Sequence, residues 1–455
     1  MKIVIVGCGK TGSAIISCLV DEGHDIVAVD NDPSTVEEIS NKYDVMCVCG
    51  SGAEVETLRE AGAGEARLFV AATESDEMNM LSCFLARRLG AGHTIARIRN
   101  PQYNDESLGF TCQQLDLSGS INPDRLAATE ICNILKFPSA VKIEPFSGSF
   151  ELLELVVKKE MPVIGMSLIE MRRKYQGRFL ICAVQRGSET FIPTGSFVLE
   201  EGDRIAMTAS PSEAQKLLRK MGILKKSARS VLIIGAGKVS YYLAKQLKAA
   251  GISAKVVEID RDRCAAFSEE ISDPGISIIN GDGTSREVLL EEGLESTDAL
   301  VALTGSDEQN IIISIYASSV GVPKVIPKVN REALAEIAEK LGLDTVISSR
   351  KAVTGLLSSY ARALENSEGS NIEALYRVLD GSAEAIEFKV NGDFRYLGVP
   401  LRDMRLKSGI LIAGIIRKRY PIIPSGDEVI TAGDRVVVIS SGRRLGDITD
   451  IIDAD

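Results

Sequence analysis

The feature that most constrains this chain is a strand-and-glycine pattern that occurs twice. One apolar segment runs into Gly7-Cys8-Gly9-Lys10-Thr11-Gly12, and another runs into Gly235-Ala236-Gly237-Lys238-Val239-Ser240. Each predicts a buried strand followed by a tight turn and a helix, which is the geometry that holds the pyrophosphate of a dinucleotide. One such pattern is a weak signal. Two copies predict a chain built by duplication of a nucleotide-binding module.

The repeat extends well beyond the glycine turns. When Gly7 is aligned with Gly235, Asp30 falls on Glu258 at the end of the second predicted strand. The other segments that match between the two halves are 50–52 with 281–283, 58–62 with 290–293, 69–73 with 300–304, 75–79 with 306–310, 95–100 with 326–331, 191–195 with 421–426 and 202–207 with 433–438. The last two pairs lie beyond the nucleotide-binding pattern, so the repeat also includes a second, smaller domain.

The order of these segments predicts the fold class. Apolar strands alternate with helical patterns in the first part of each repeat, which indicates a parallel sheet with right-handed crossovers. The second part has short β runs at 152–157, 180–185 and 205–208, broken by proline and glycine turns. We therefore expect an α/β chain with two Rossmann-like parallel-sheet domains, each followed by a small α+β domain.

The 455 residues are too many for a single core, and the repeat divides them into four domains. The expected domains are 1–137 and 228–366, which are Rossmann-like, and 138–225 and 367–455, which are small α+β domains. Linkers are expected near Pro138, between Lys225 and Arg229, and between Ser367 and Gly369.

Composition narrows the functional classes. The formal net charge of −11 argues against nucleic acid as the main partner, because phosphate neutralisation requires clustered Lys and Arg. No apolar run approaches the roughly 20 residues that a membrane-spanning helix needs. The first residues indicate a strand rather than a signal peptide, so a cytoplasmic protein is expected. The nine cysteines form no CxxC pair and are expected to be small buried side chains, not zinc ligands.

The first glycine turn is a complete dinucleotide fingerprint. Gly7 permits the tight turn, Gly9 lets the backbone approach the pyrophosphate, and Gly12 lets the helix pack closely on the strand. Asp30 lies 18 residues after Gly12, close to the spacing of about 20 expected for the acid that binds the ribose. A carboxylate there accepts hydrogen bonds from the ribose hydroxyls and repels a 2′-phosphate, so NAD is favoured over NADP.

The second glycine turn departs from the fingerprint. Ser240 replaces the third glycine, which predicts looser packing of the helix and a weaker site. Glu258 can take the ribose-binding role of Asp30. Arg97 and Lys328 are expected to end the fifth strand of each module, where each is either a source of positive charge for phosphate or a plain surface cation.

Two further pairs of residues carry local expectations. Asp76 and Asp307 precede predicted helices and are expected to be their N-caps. His24 and His93 are the only histidines, and both are expected to be exposed loop residues.

An oxidoreductase needs a proton donor or acceptor beside the nicotinamide, and neither histidine has a counterpart in the other half. No catalytic residue is therefore predicted, and the architecture favours a sensor whose domains move when ligand binds.

The chain resembles the TrkA family, the cytoplasmic regulatory subunits of Trk-type potassium uptake systems in bacteria and archaea. The resemblance covers essentially the whole length. The segments that carry it are Gly7-Cys8-Gly9-Lys10-Thr11-Gly12, Asp30, 58–63, 75–80, 96–99 and Gly281-Asp282-Gly283-Thr284. It implies tandem RCK modules (regulators of potassium conductance) that form a ring, often a tetramer of tandem chains, beneath a membrane-embedded potassium-translocating subunit. The resemblance further implies that NAD(H), and in relatives ATP or ADP, changes the shape of that ring and so the gating of transport.

The resemblance also implies two sets of ligand-binding residues. By motif match, the first site would use Gly7, Cys8, Gly9, Lys10, Thr11, Gly12, Asp30, Ser51, Thr73, Glu74 and Arg97. The second would use Gly235, Ala236, Gly237, Lys238, Val239, Glu258, Asp282, Thr304 and Lys328. ATP or ADP at one of the sites stays open, because adenosine carries the same ribose diol. Two other functions also stay open: an NAD-dependent oxidoreductase with duplicated Rossmann domains, and a sensor that acts on another channel or antiporter.

Overall fold

Both halves of the chain begin with a parallel sheet and end with an antiparallel sheet. The computed structural model describes residues 1–103, 105–136, 142–146, 150–222, 228–271, 273–366, 371–418 and 420–453. The linkers expected near Pro138 and 367–369, and most of the one at 225–229, lie outside these residues. The predicted fold class, two Rossmann-like sheets that each precede a small α+β region, is confirmed.

The first parallel sheet has the strand order β3-β2-β1-β4-β5-β6. Its strands are β1 (Lys2–Val6), β2 (Asp25–Asp30), β3 (Met46–Cys49), β4 (Leu68–Ala71), β5 (His93–Arg97) and β6 (Gly119–Ile121). Its helices are α1 (Lys10–Asp21), α2 (Pro33–Lys42), α3 (Val55–Glu60), α4 (Asp76–Leu89), α5 (Asp105–Gln114) and α6 (Pro123–Lys136). β1 is apolar and buried after Lys2, and β4 is apolar and buried throughout, as is typical of parallel strands that have helices on both faces of their sheet. The strand order reverses between them, which opens a crevice at their carboxyl ends.

The first antiparallel sheet has the strand order β10-β9-β11-β8-β7. The strands are β7 (Lys142–Phe146), β8 (Phe150–Val156), β9 (Phe179–Arg186), β10 (Glu189–Phe191) and β11 (Arg204–Ala209), with helices α7 (Leu168–Tyr175) and α8 (Pro211–Lys220). The three predicted β runs correspond to β8, β9 and β11. One face of this sheet packs on both helices, because Met171 and Tyr175 of α7 join Leu217 and Leu218 of α8 in its core.

The second parallel sheet has the strand order β14-β13-β12-β15-β16. The strands are β12 (Ser230–Ile234), β13 (Ser253–Glu258), β14 (Ile276–Asn280), β15 (Ala299–Ala302) and β16 (Lys324–Pro327). The helices are α9 (Lys238–Ala249), α10 (Arg261–Glu270), α11 (Arg286–Glu291), α12 (Asp307–Ser319), α13 (Glu332–Lys340) and α14 (Ser349–Asn366). Where the first sheet has β6, the second has a single parallel bridge between Lys328 and Ile347.

The second antiparallel sheet has the strand order β17-β18-β21-β19-β20. The strands are β17 (Ile372–Val378), β18 (Ala383–Lys389), β19 (Ile410–Arg417), β20 (Tyr420–Ile422) and β21 (Arg435–Ser440). Short 3-10 turns at Leu401–Asp403 and Ile448–Ile451 stand where the first copy has α7 and α8. The two small domains therefore share a sheet but differ in what covers it.

Contacts group the chain into two units, each of which combines segments from both halves. The first unit is Met1–Thr129, Ser230–Leu341 and Val346–Ala361, and it holds both parallel sheets. The second is Glu130–Arg229, Gly342–Thr345 and Arg362–Asp455, and it holds both antiparallel sheets. In the second unit the sheets share a buried cluster, and the Thr208 hydroxyl donates to the carbonyl of Ala413 at 2.8 Å.

In the first unit, the last helix of each module contacts the other module. Gln246 of α9 donates to the hydroxyl of Thr129 on α6 at 2.9 Å. Conversely, Ser358 of α14 donates to the Glu22 carboxylate, and the Tyr360 hydroxyl lies 3.1 Å from Nδ1 of His93. The two modules are therefore joined by reciprocal contacts of α6 and α14.

These contacts correct the expectation that both histidines are exposed. His24 is buried, with Nε2 3.7 Å from the Glu22 carboxylate, and His93 is partly buried at the start of β5. The expectation was wrong because α14, far away in the sequence, packs against both places. Among the described residues, no helix is both long and apolar enough to cross a membrane.

The position of His93 generates a prediction about pH. Burial lowers the pKa of His93 below its ordinary value of about 6.5, and Arg87 and Arg67 lower it further. The unfolded chain therefore takes up a proton more readily than the folded chain, so His93 costs stability as the pH falls through the ordinary histidine range. We expect His93→Gln to reduce the loss of thermal stability between pH 7.5 and pH 5.5.

The measurement is the melting temperature of both proteins at several pH values. Tyr360→Phe is the matched control, because it removes the hydroxyl at His93 but keeps the titrating imidazole, and it should keep the pH dependence. Identical pH profiles for the native chain and His93→Gln would contradict the prediction.

Candidate functional site

The first glycine turn has the close contacts that its glycines were predicted to allow. Gly7 has a positive φ of +89°, and a Cβ built there would lie 2.6 Å from the backbone nitrogen of Thr73. A Cβ at Gly12 would lie 1.8 Å from the carbonyl oxygen of Gly7. In contrast, a Cβ at Gly9 would meet nothing within 4 Å. The turn is therefore tight against the protein on one side and open at Gly9, beside the start of α1.

Asp30 holds this turn in place. Its Oδ2 accepts a hydrogen bond from the backbone N–H of Cys8 at 2.6 Å, and its Oδ1 accepts one from the N–H of Asp32 at 3.0 Å. A carboxylate has about four acceptor positions, so two remain for a ligand. The carboxylate lies where β2 ends, beside the glycine turn, as its spacing from Gly12 predicted.

The second copy reproduces this arrangement with a longer acid. Glu258 Oε2 accepts from the N–H of Ala236 at 2.7 Å, and Oε1 accepts from the N–H of Asp260 at 3.0 Å. Ser240 is fully buried, and its hydroxyl donates to the carbonyl of Gly235. The serine hydroxyl thus bonds the helix to the turn at the position where Gly12 allows a direct close approach in the first copy. Looser packing and a weaker second site stay predictions.

A buried asparagine in each module joins the fourth strand to the fifth. Asn79 Oδ1 accepts from the backbone N–H and the hydroxyl of Thr73 at 2.8 and 2.7 Å. Its Nδ2 donates to the carbonyls of Thr73 and Arg97 at 3.1 and 2.8 Å. The side chain thus fixes two residues of the predicted first site relative to each other.

Asn310 makes the same four hydrogen bonds to Thr304 and Lys328, at 2.9, 2.7, 3.3 and 2.8 Å. Neither asparagine is among the site residues predicted from the sequence. The signal was available, because both lie at the same place in matched segments. What the sequence did not give was the long-range partner on the fifth strand.

The aspartates expected to cap α4 and α12 have a different role. Ser75 is the cap of α4, since its hydroxyl accepts from the N–H of Met78 at 3.1 Å. Asp76 instead accepts from the backbone N–H groups of Arg99 and Asn100 at 2.9 and 2.7 Å.

The second copy is the same, with Ser306 as the cap of α12 and Asp307 bound to the N–H groups of Asn330 and Arg331 at 3.1 and 3.0 Å. The N-cap prediction was therefore wrong by one residue in both halves. Each aspartate fixes the chain that leaves the fifth strand.

The two predicted cations are partly buried. Arg97 Nη1 donates to the carbonyls of Ala72 and Thr73 at 3.2 and 3.0 Å, while its buried Nε has no acceptor among the described residues. Burial lowers the pKa of Arg97, and nearby Arg99 adds to this. Burial also lowers the pKa of Lys328. Neither is a plain surface cation. Arg97 is the last residue of β5, and Lys328 directly follows β16, so both lie at the carboxyl edge of their sheets.

The remaining predicted residues divide into two groups. The first group differs in exposure: the side chains of Lys10, Glu74 and Lys238 are exposed, and that of Thr11 is partly exposed. The Val239 side chain is buried, so Val239 can offer a ligand only its backbone. Other side chains are engaged in their own turns: Ser51 Oγ accepts from the N–H of Ala53 at 3.2 Å, and Asp282 Oδ1 accepts from the N–H of Thr284 at 2.8 Å.

The cysteines partly follow expectation. Cys8, Cys83, Cys132, Cys182 and Cys264 are buried, but Cys49 is exposed, and all nine are free thiols. Burial is the main reason that the pKa of Cys8 is raised to about 12, so its thiol stays protonated beside the turn. Within the described part of the chain, no group of three or more His, Cys, Asp or Glu side chains could hold a metal ion.

Family models match most of the chain. The TrkA-N domain model matches residues 3–109 and 231–349, and the TrkA-C domain model matches residues 152–222 and 385–453. The chain belongs to the TrkA family. Each TrkA-N match contains one glycine turn with its acid and its asparagine, and each TrkA-C match lies in one small domain.

Relatives of this TrkA-family chain match it from end to end. A Trk system potassium uptake protein TrkA of Halomonas elongata is 30% identical over 98% of each chain. A TrkA homolog of Archaeoglobus fulgidus is 31% identical over 99% of this chain and 100% of its own length. The Haemophilus influenzae protein is 29% identical over 98% of this chain and 96% of its own.

Solved structures share the fold of this TrkA-family chain at low sequence identity. The GsuK channel superposes with a TM-score of 0.64 at 18% identity, covering 97% of this chain and 77% of the channel chain. The GsuK RCK domain gives a TM-score of 0.63 at 18% identity, with 97% of this chain and 92% of that chain covered. The GsuK channel bound to NAD gives a TM-score of 0.63 at the same identity, covering 97% of this chain and 77% of that chain.

The asparagine hydrogen bonds generate a stability prediction. Asn79→Ala removes all four hydrogen bonds of this buried side chain, and a typical hydrogen bond contributes about 0.5–1.5 kcal/mol to stability. We expect the free energy of unfolding to fall by at least about 1 kcal/mol, measured by urea denaturation of the full chain. Asn41→Ala, at an exposed position on α2, is the control and should change little. Equal stability of the two variants would contradict the structural role of Asn79.

Proposed function

We propose that the chain is a nucleotide-sensing regulatory subunit of a potassium uptake system. In this proposal NAD(H) binds at the glycine turns and shifts the conformation of a gating ring. The ring then controls potassium flux through a membrane-embedded translocating subunit. The observation that carries the proposal is the duplicated glycine turn, anchored each time by a strand-end carboxylate, in a chain whose family relatives are named Trk system potassium uptake proteins.

The geometry of the first turn supports a dinucleotide as its ligand. The open space at Gly9 lets a pyrophosphate approach the backbone N–H groups at the start of α1, where the helix dipole favours an anion. Two acceptor positions of Asp30 remain for a ribose diol. Arg97 is partly exposed at the carboxyl end of β5, where its guanidinium supplies positive charge for a phosphate. We assign NAD(H) to this site, with the residues named by motif match in the first half.

The second turn supports a site of the same kind with a less specific cation. Lys328 stands in the position of Arg97, and an ammonium lacks the planar fork that binds phosphate at two points. We propose that this site also takes an adenine nucleotide, with NAD(H), ATP and ADP as candidates. The GsuK channel has been solved bound to NAD and the fold is shared, so a dinucleotide is compatible with such a module.

A regulatory role is favoured over an oxidoreductase. Catalysis at a nicotinamide needs a proton donor or acceptor beside it. His24 and His93 instead meet Glu22 and Tyr360, at the contact with α14. We therefore propose that nucleotide is bound and released unchanged. On this proposal the chain is cytoplasmic and reaches the membrane only through its transporter partner. The four expected domains, at 1–137, 138–225, 228–366 and 367–455, remain predictions.

Exposed apolar residues at duplicated positions support a homo-oligomeric ring, which we propose to be a tetramer. Leu81 on α4 and Ile312 on α12 lie at matched positions, and both are exposed. The next helices repeat the pattern, with Phe110 on α5 and Ile337 on α13. A chain that presents the same exposed apolar surface twice can contact two neighbours, and such contacts form a ring when the rotation from one chain to the next closes.

The nucleotide proposal is tested by isothermal titration calorimetry with NAD, NADH, ATP and ADP. Asp30→Ala should weaken binding at the first site by at least about tenfold, because hydrogen bonds to a charged group contribute about 1.5–3 kcal/mol each. Glu258→Ala should do the same at the second site. Asp32→Ala, a neighbouring exposed acid that caps α2, is the control and should leave affinity unchanged. Unchanged affinity in Asp30→Ala, or chemical conversion of bound NAD, would overturn the proposal.

The ring proposal is tested by light scattering after size-exclusion chromatography. Leu81→Glu combined with Ile312→Glu should lower the molar mass to that of a smaller assembly, because it places charge on both copies of the surface. Met46→Glu changes a comparably exposed apolar residue on β3 and should leave the mass unchanged. A double variant with the mass of the native chain would exclude this surface.

A further inference from the structure

One contact between the two parallel-sheet modules joins the helix of the second candidate site to residues near the first. Tyr242 lies on α9, the helix that begins at the second glycine turn. Its hydroxyl accepts a hydrogen bond from Asn122 Nδ2 at 2.9 Å and donates a longer one to the carbonyl of Arg99 at 3.4 Å. A side chain on the helix of the second site therefore touches backbone that follows the fifth strand of the first site.

On the first module this contact reaches residues next to the first site. Arg99 lies two residues after Arg97, and its backbone N–H is held by Asp76. Its Nε donates to Asp124 Oδ2 at 2.7 Å, and Asp124 is buried at the start of α6. We call Tyr242, Asn122, Arg99 and Asp124 the Tyr242 contact.

The same carboxylate acts on the cations of both sites. Burial lowers the pKa of Lys328, and the charge of Asp124 opposes this more strongly than Asp307 does. Asp124 likewise raises the pKa of Arg97 and Arg99 against the effect of their burial. One buried acid of the first module thus balances cations from both modules.

The link is not symmetric. When the glycine turns are aligned, the position of Tyr242 in the first half is Ala14, which has no hydroxyl. Asn122 lies just before α6, and the matching position before α14 is Ser348, which has a much shorter side chain. The second site's helix is therefore tied to the first site's strand end by a contact that α1 cannot return.

We propose that the two nucleotide sites are energetically coupled through the Tyr242 contact. The inference rests on the proposed function, since it requires nucleotide at both turns. In this proposal, ligand at the second turn fixes the start of α9 and with it the position of Tyr242. The Tyr242 hydroxyl contacts the carbonyl of Arg99, which lies between Arg97 and Asp124 in the chain. Phosphate at Arg97 changes the charge that Asp124 balances, and so changes what holds Lys328. Because coupling is reciprocal, each ligand must alter the affinity for the other by the same factor.

The test measures that factor by calorimetry with NAD on the full chain. The affinity of the second site is compared between the native chain, with the first site filled, and Asp30→Ala, at NAD concentrations that leave its weakened first site empty. The reciprocal comparison uses Glu258→Ala. We expect both comparisons to give the same factor, of at least about fivefold. In the Tyr242→Phe background the factor should fall to within about twofold of unity, with the affinities of the isolated sites retained.

Two further variants sharpen the result. Asp124→Asn keeps the shape of the side chain but removes its charge, and it should also reduce the factor. Tyr241→Phe is the matched control, because the hydroxyl of Tyr241 bonds to Lys245 on its own helix, and it should leave the factor unchanged. Thermal unfolding of each variant checks that the modules remain folded.

The outcomes separate the coupling from the function on which it rests. If NAD binds to neither turn of the native chain, the proposed function fails and the coupling fails with it. If NAD binds to both turns independently, or if the factor is the same in Tyr242→Phe as in the native chain, only the coupling is overturned.

Discussion

Each candidate site depends on one hydrogen bond from the backbone of the glycine turn to a carboxylate on the neighbouring strand. In the first module it joins the N–H of Cys8 to Asp30, and in the second the N–H of Ala236 to Glu258. The turn has almost no side chains of its own, so this bond fixes where its remaining N–H groups point. The acid proposed to recognise ribose is therefore also the acid that shapes the phosphate-binding loop, and recognition of the two ends of the nucleotide cannot vary independently.

Much of this geometry could be predicted because it is local or follows from a parallel sheet. The spacing between Gly12 and Asp30 was sufficient, since parallel strands bring their carboxyl ends to one edge. The roles of Asn79 and Asp76 were not predicted, because their partners lie on the fifth strand or just beyond it, 18 and 23 residues away. The burial of Glu22 beside His24 could not be predicted, because Glu22 is contacted by Ser358, which lies 336 residues further along the chain.

The two halves keep the scaffold and vary the details around it. The asparagine that joins the fourth and fifth strands is the same in both, and so is the acid at the turn apart from its length. What differs is the cation, which is Arg97 in one half and Lys328 in the other, and the third position of the fingerprint, which is Gly12 or Ser240. An arginine can bind phosphate at two fixed points, whereas a lysine acts as a point charge. Duplication has thus produced two modules that share a scaffold and differ in the cation at the end of the fifth strand.

The reciprocal placement of α6 and α14 has a consequence for how such a chain can arise. Each parallel-sheet module is contacted by the last helix of the other. A half-length ancestor would have had to associate with a second copy of itself, at a concentration-dependent cost. Joining the copies in one polypeptide makes that encounter intramolecular, so that it no longer depends on the protein concentration. In one polypeptide the two halves have separate sequences, so a substitution in one half leaves the other unchanged. In a symmetric pair of identical chains, every substitution appears in both partners.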